Sequence, residues 1–223
     1  MCRMHRLVLV VSAVCVLGLQ QASAQVPQTA PAGSQKKVTH RDKLPEPSLY
    51  PTTWELKLDY RKPARVVVEV PGMPVVQAYW YMPYTITNTT DQERMFLPIF
   101  ELVGEDGKIK RSDKNIPQEV LDIIKTREGN KFIQSTIQAS GELRIGPAEA
   151  KYSVAVWPEP APEMGRFAIL IGGLNGEYQR VKNAANEEVV LRKTLQLNFI
   201  VRGDEVYPGE DAINENPSLW IMR

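Results

Sequence analysis

Alternation of apolar and polar side chains is the feature that most constrains the fold of this chain. In residues 54–60, "WELKLDY", every second side chain is apolar, and residues 64–70 repeat the pattern with valines. Successive side chains of a β-strand point to opposite faces of the sheet, so a period of two predicts half-buried strands. An Asp-Gly pair at residues 106–107 is typical of a tight hairpin turn between two such strands.

The number of such runs predicts a mainly β fold. Further runs of strand character begin at residues 78, 95, 131, 141, 151, 166 and 194, and "PSLWIM" near the end is a last candidate. Short strands separated by turns at regular spacing are typical of an immunoglobulin-like β-sandwich. A small β-barrel is the alternative fold, because periodicity does not distinguish two packed sheets from one closed sheet.

One segment departs from the period of two and predicts a short inserted α-helix over about residues 116–128. Pro117 suits the first helical turn, and Gly129 suits the C-terminal cap. The apolar residues of this segment follow helical spacing, at Ile116, Val120, Ile123 and Ile124. An amphipathic helix packs its apolar face on a sheet, and the nearest strand with two apolar faces is "MFLPIF" at residues 95–100.

The strand "AYWYMPYTITNTT", residues 78–90, carries large side chains on both of its faces. We expect one face in the core, with Trp80, Met82, Tyr84 and Ile86. The other face holds Tyr79 and Tyr81. Pro83 lacks a backbone N–H, so it predicts either an edge strand or a bulge at this point. We therefore expect Tyr79 and Tyr81 to be partly exposed, or covered by residues 206–217, and they are the candidate ligand-binding residues.

The first 24 residues have the pattern of a secretory signal peptide. A basic start that contains Arg3 and Arg6 precedes an apolar run at residues 7–19, and "ASA" at residues 22–24 is a small-residue cleavage site. We therefore expect an exported protein, periplasmic or extracellular, with no transmembrane segment after cleavage. The alternative is a retained membrane anchor, although the apolar run is short for a bilayer span.

The remaining chain divides into a tether and one domain. Residues 25–50 are rich in Pro, Gln, Ala and Ser and have no apolar period, which predicts a disordered tether. Residues 51–223 suit a single β-sandwich domain. Both cysteines, Cys2 and Cys15, lie in the signal segment, so we expect the exported domain to form no disulfide.

Charge and histidine content argue against several classes of function. The 27 Lys and Arg residues nearly balance the 26 Asp and Glu residues, and no basic block gathers phosphates, which argues against a nucleic-acid partner. After signal cleavage only His40 remains, in the tether. Because Ser-His-Asp triads and His-based metal sites need a positioned imidazole, we predict no catalytic residue, no cofactor and no metal ligand.

Acidic residues are dense between residues 204 and 215. Carboxylate oxygens suit calcium, although their spacing matches no standard calcium loop. Whether this acidic loop binds an ion stays open on the sequence alone.

The order of several strands resembles a known group of proteins. "YWYMPYTITN", "RMFLPIFEL", the helix, "GELRIGP", "VAVW" and "FAILIGGL" follow one another within about residues 75–175. This order resembles an uncharacterised family of secreted bacterial proteins with an immunoglobulin-like β-sandwich. The resemblance implies a β-sandwich and export, and it brings no catalytic residues.

Three functional hypotheses follow. The first is an exported, non-catalytic β-sandwich module that binds or scaffolds another envelope or secreted protein. The second is a carbohydrate-binding module, in which Tyr79 and Tyr81 form an aromatic platform for a glycan. The third is a hydrolase that uses carboxylates, which need only come together in space. The oligomeric state and the identity of the partner do not follow from the sequence.

Overall fold

The described part of the chain begins shortly before the predicted domain. The computed structural model describes residues 44–69, 72, 76–159, 165–201, 213–214 and 217–223. The predicted signal peptide, residues 25–43 of the predicted tether and nearly all of the acidic loop at residues 204–215 lie outside the described residues.

Strands dominate the described residues, with two short helices between them. The first elements are β1 (Lys57–Tyr60), β2 (Ala64–Val68), β3 (Gln77–Thr87), β4 (Arg94–Phe96), β5 (Ile99–Gly104), β6 (Ile109–Arg111), α1 (Gln118–Arg127), β7 (Gln134–Ser135) and α2 (Thr136–Ala139). They are followed by β8 (Gly141–Leu143), a 3-10 turn (Pro147–Glu149), β9 (Lys151–Pro158), β10 (Arg166–Gly172), β11 (Tyr178–Lys182), β12 (Glu188–Ile200), β13 (Ile213–Asn214) and β14 (Leu219–Met222).

The strands form two main sheets that pack face to face. The first sheet has the order β1-β3-β9-β7, with β2 also paired to β3. The second has the order β11-β12-β10-β5-β6, with β13 and β14 also paired to β12, and β4 pairs with β8 in a small separate ribbon. The predicted β-sandwich is therefore confirmed, and the alternative of a closed barrel is wrong.

The core between the sheets is built on the predicted face of β3. Trp80, Met82, Tyr84 and Ile86 are all buried there. The Tyr84 ring stacks on Phe100 of the second sheet with 4.7 Å between ring centroids, and the Trp80 ring lies 5.9 Å from that of Phe167. Such aromatic pairs add to the free energy that area burial contributes.

Helix α1 covers the opposite face of β3, which corrects two expectations. Tyr79 and Tyr81 are only 4% and 1% exposed, because Val120, Leu121 and Ile124 of α1 pack over them. The predicted exposure of these tyrosines is therefore wrong, and residues 206–217 are not needed to explain their burial. The helix itself matches its predicted range, but it packs on β2, β3 and β9 rather than on "MFLPIF".

Strand β3 lies inside its sheet, so the prediction of an edge strand is wrong. It pairs with β9 along one side and with β1 and then β2 along the other. Between those two partners, three residues, 61–63, oppose only Met82 and Pro83. The Pro83 carbonyl accepts from the Arg61 N–H at 2.9 Å, which places the proline nitrogen on this interrupted side. The alternative prediction, a bulge at Pro83, agrees with this arrangement.

The sequence predicts a strand that begins at residue 131, but most of this segment is not a strand. Only Gln134 and Ser135 form β7, and the helix α2 follows at once. The Ser135 hydroxyl accepts from the Gln138 N–H, and the Gln138 side chain accepts from the Ser135 N–H. This reciprocal capping box starts the helix and ends the strand, and its Ser-x-x-Gln signature is present in the sequence.

Both faces of β3 are core, which sets an expectation for stability. We expect Trp80→Ala to lower the free energy of unfolding by about 3–5 kcal/mol, and the double change Tyr79→Ser, Tyr81→Ser to cost at least as much. Urea denaturation measures both. The control is Tyr152→Ser, because Tyr152 is 55% exposed and its loss should cost less than about 1 kcal/mol. A double variant as stable as this control would contradict the packing of α1 on β3.

Candidate binding groove

One part of the outer face of the first sheet is not covered by α1. There Asp59, Thr85 and Tyr152 lie side by side on β1, β3 and β9, because Asp59 pairs with Thr85 and Thr85 pairs with Tyr152. They share the face of Tyr79 and Tyr81, since alternate residues of β3 point the same way. Unlike those two tyrosines, Tyr152 is 55% exposed.

This row forms the floor of an open groove of about 320 Å³. Tyr60 of β1, Tyr84 of β3 and Arg61, which directly follows β1, also line it. The opposite wall comes from the segment that follows α1, with Glu128, Asn130 and Ile133. We call this site the outer groove. Its lining combines the exposed Tyr152 ring with an amide, hydroxyls and charged side chains.

The wall is held in place by the way α1 ends. Gly129 adopts φ +63°, and its N–H donates to the Thr126 carbonyl at 3.1 Å. The Asn130 N–H then donates to the Lys125 carbonyl, also at 3.1 Å. These two bonds form a Schellman motif, which turns the chain sharply after the helix. The expected glycine cap therefore positions Glu128 and Asn130 against the sheet.

Glu128 connects the groove to the layer beneath α1. Its Oε1 accepts a hydrogen bond from the Tyr81 hydroxyl at 2.9 Å, and its carboxylate forms an ion pair with Arg61. The side chain of Glu128 is 9% exposed, whereas that of Arg61 is 67% exposed. Tyr81, although buried, thus orients Glu128 in the groove wall. The Arg61 guanidinium, which pairs with Glu128, places a positive charge at the exposed surface of the groove.

Two of the tyrosines that line the outer groove, Tyr60 and Tyr84, have pKa values raised by burial. Burial raises the pKa of Tyr84 to about 12, and burial also raises the pKa of Tyr60. Tyr84 donates to the Thr136 hydroxyl at 3.5 Å. Asp59 Oδ2 lies 2.8 Å from Lys57 Nζ, and both side chains are more than half exposed. The rings of Tyr60 and Tyr84 pack in or against the core, so the groove offers the exposed Tyr152 ring together with charges that are already partly paired.

The predicted site residues, Tyr79 and Tyr81, are buried, whereas the exposed tyrosine of the groove is Tyr152. Tyr79 and Tyr81 lie under α1, and only the Tyr81 hydroxyl acts on the groove, through Glu128. Tyr152, which lines the groove, was not predicted. Strand alternation in "KYSVAVW" places Tyr152 on the outer face, but Val154 and Val156 on that same face are buried under the helix. Val154 and Val156 are buried because α1 packs over them, and Tyr152 is exposed because the helix does not extend over it.

Two kinds of feature are absent from the described residues. Over these ranges no group of three or more His, Cys, Asp or Glu side chains is arranged to hold a metal ion. Within the same part of the chain, no helix is long and apolar enough to cross a membrane. The question of an ion in the acidic loop concerns residues outside the described ranges.

The contacts of Glu128 predict the effect of removing its charge. We expect Glu128→Gln to lower the free energy of unfolding by about 1–3 kcal/mol, because it weakens two charge-assisted contacts at a largely buried side chain. Chemical denaturation measures the change. Glu119→Gln is the matched control, since Glu119 is exposed on the same helix and its change should stay within about 0.5 kcal/mol. Equal stability of both variants would remove Glu128 from this role.

Comparison with known proteins identifies no relative of this chain. No family model matches it, and no curated protein or solved structure matches it significantly. The resemblance to a family of secreted bacterial proteins therefore stays a prediction, and the function has to be inferred from the geometry of the outer groove.

Proposed function

We propose that this chain is an exported, non-catalytic β-sandwich module that binds an extended segment of another envelope or secreted protein. The segment would add a strand to β1 and place its side chains in the outer groove. Export is supported by the basic start, the apolar run and the "ASA" site within residues 1–24.

The free side of β1 is the observation that carries this proposal. The Arg61 N–H donates to Pro83 on β3, and successive residues of a strand direct their backbone groups to alternate sides. The backbone groups of Leu58 and Tyr60 therefore point away from β3. No described strand pairs with β1 on that side. Unpaired backbone groups at a sheet edge are a template for an added strand.

The outer groove lies beside this edge and supplies side-chain recognition. An added strand would continue the row of Asp59, Thr85 and Tyr152 by one residue, since paired strands align residues across the sheet. Main-chain hydrogen bonds give affinity in this mode, and pockets for alternate side chains give specificity. The exposed ring of Tyr152 offers such a contact at low entropic cost.

The charges of the groove support binding rather than catalysis. The Glu128 carboxylate is engaged by Tyr81 and Arg61 within the protein, which suits a structural role in the groove wall. Tyr60 and Tyr84 have pKa values raised by burial, which keeps their hydroxyls neutral. A general acid or base needs a pKa near the working pH, which is the reverse of what these tyrosines have.

A glycan is the second candidate ligand. The half-exposed ring of Tyr152 lies in one groove with Asp59 and Asn130. Sugars stack on aromatic rings and accept hydrogen bonds from, or donate them to, carboxylate and amide groups. The aromatic surface would then be Tyr152, not the buried pair of the original hypothesis.

Site-specific photocrosslinking tests the protein partner. A photoreactive amino acid is placed at Tyr152 in the full chain and, as a matched control, at Tyr178, which is 53% exposed on β11. We expect position 152, and not 178, to crosslink an extended segment of an exported protein in the producing cells. With that partner bound, the amide protons of Leu58 and Tyr60 should exchange more slowly. Equal crosslinking at both positions would contradict the proposal.

Binding measurements with two variants separate the candidate ligands. We expect Tyr152→Ser to weaken binding of the crosslinked segment at least tenfold, whereas Tyr178→Ser changes it less than twofold. Isothermal titration with the purified proteins gives both values. If Tyr152→Ser instead abolishes binding to isolated glycans and the amides of Leu58 and Tyr60 are unaffected, the carbohydrate hypothesis replaces the protein partner.

A further inference from the structure

A short segment before the predicted domain is held by two buried charges. Residues 44–50, "LPEPSLY", which we call the strap, run past β11 and β12 although the sequence predicts them as part of a disordered tether. The Ser48 N–H donates to Glu177 Oε1 at 2.9 Å, and Lys193 Nζ donates to the Ser48 carbonyl at 3.1 Å. One residue of the strap is therefore held at both its N–H and its carbonyl. The structure thus places contacts with the domain at Ser48, within the segment that the sequence predicts as a tether.

The two charged residues form what we call the clamp, and both belong to the domain. Lys193 is 2% exposed and Glu177 is 6% exposed, with 3.2 Å between Nζ and Oε2. The Lys193 ammonium also lies 5.2 Å from the centroid of the Trp220 ring and 4.0 Å from Glu55. A buried ion pair is stable only when its remaining hydrogen-bonding capacity is filled. The strap fills part of it.

A break in the second sheet creates the clamp. Residues 173–177 interrupt the pairing with β12 between β10 and β11, and the Lys193 N–H donates to the Glu177 carbonyl at 3.0 Å. The Asn175 side chain fixes this loop, because its Oδ1 accepts from the Glu177 N–H at 2.6 Å. The Glu177 carboxylate is thereby fixed by the domain, and its position does not depend on the strap alone.

The large side chains of the strap contribute little to its docking. Leu44, Leu49 and Tyr50 are 58%, 96% and 82% exposed. Beyond Ser48, a further contact from the domain is that of the Gln179 amide with the Glu46 carbonyl, at 3.4 Å. The two prolines of the strap, Pro45 and Pro47, favour an extended backbone. Recognition is therefore directed at an extended backbone and at Ser48.

We propose that the clamp is a peptide-binding site for an extended Pro-Ser segment, occupied here by the chain's own strap. The proposed ligand is the strap, residues 44–50, of a second copy of this chain, which would bind the same site in trans. The site lies on the second sheet and shares no residue with the outer groove, so it is a binding function additional to the proposed one. Because the domain supplies the whole clamp, the ligand need not be covalently attached.

The electrostatics of Glu177 agree with a built site. Burial raises the pKa of Glu177, but hydrogen bonds from the Ser48 backbone and side chain, followed by Lys193, lower it overall below the ordinary value. A depressed carboxyl pKa contributes stability that is present above the ordinary value near 4.5 and is lost as the pH falls through the lowered one. Lys193 and Glu55 are the charged groups beside it. Strap docking should therefore weaken in acid.

A titration in trans tests the proposal on the full chain. The variant Ser48→Pro removes the N–H and hydroxyl that Glu177 binds, so its own strap should leave the clamp. We expect the free peptide LPEPSLY to bind this variant saturably, with a change in Trp220 fluorescence or in the NMR signal of its indole. The peptide LPEPPLY, which carries the same proline change, should bind at least tenfold more weakly. Absence of saturable binding would overturn the proposal.

Two further variants keep the result decisive. Lys193→Met should abolish binding of LPEPSLY, and Tyr178→Ser should leave it unchanged, because Tyr178 is exposed on β11. If Ser48→Pro fails to fold, a protease site at the exposed residues 51–53 replaces it. After cleavage, excess LPEPSLY should displace the N-terminal fragment from the domain, and LPEPPLY should not. Release without the peptide, or no release with it, would overturn the proposal.

Discussion

The pairing of β3 on both of its sides is the constraint on which the remainder of this fold depends. A strand with neighbours at both edges has to satisfy every backbone group, and Pro83 cannot donate. The conflict is resolved because the donor is missing on the side where β1 gives way to β2, at residues 61–63. The β9 side of the ladder continues past Pro83 without a break in register. A proline thus fixes where one long strand exchanges partners.

The same strand determines how the layers are stacked. With aromatic side chains on both faces, β3 needs apolar cover on both, since exposed rings would leave a large apolar surface in water. The second sheet covers one face and α1 covers the other. The helix is only ten residues long, so it covers only part of that face. The outer groove is the remainder, and Glu128 at the end of the helix forms its wall.

The sequence predicted features that follow from the local geometry of a strand or helix. It did not predict features that depend on how the sheets and the helix pack on one another. Strand alternation predicted the core face of β3, and helical spacing predicted α1, because both follow from side-chain direction alone. Alternation could not show that Tyr81 is covered and Tyr152 is not, because both lie on the outer face of the sheet. That difference comes from where α1 packs. The Pro-rich composition of residues 44–50 likewise gave no sign of the buried Lys193 and Glu177 that hold them.

Lys193 shows why such a contact escapes pattern analysis. It occupies a position of β12 with the parity of Leu195 and Leu197, where a lysine contradicts the alternation of a core strand. A buried ammonium is tolerated only with partners for its protons, and those partners are Glu177, the Ser48 carbonyl and the Trp220 ring. The Ser48 carbonyl lies 145 residues from Lys193 along the chain. The exception to the pattern is therefore the point at which the domain can recognise a peptide segment.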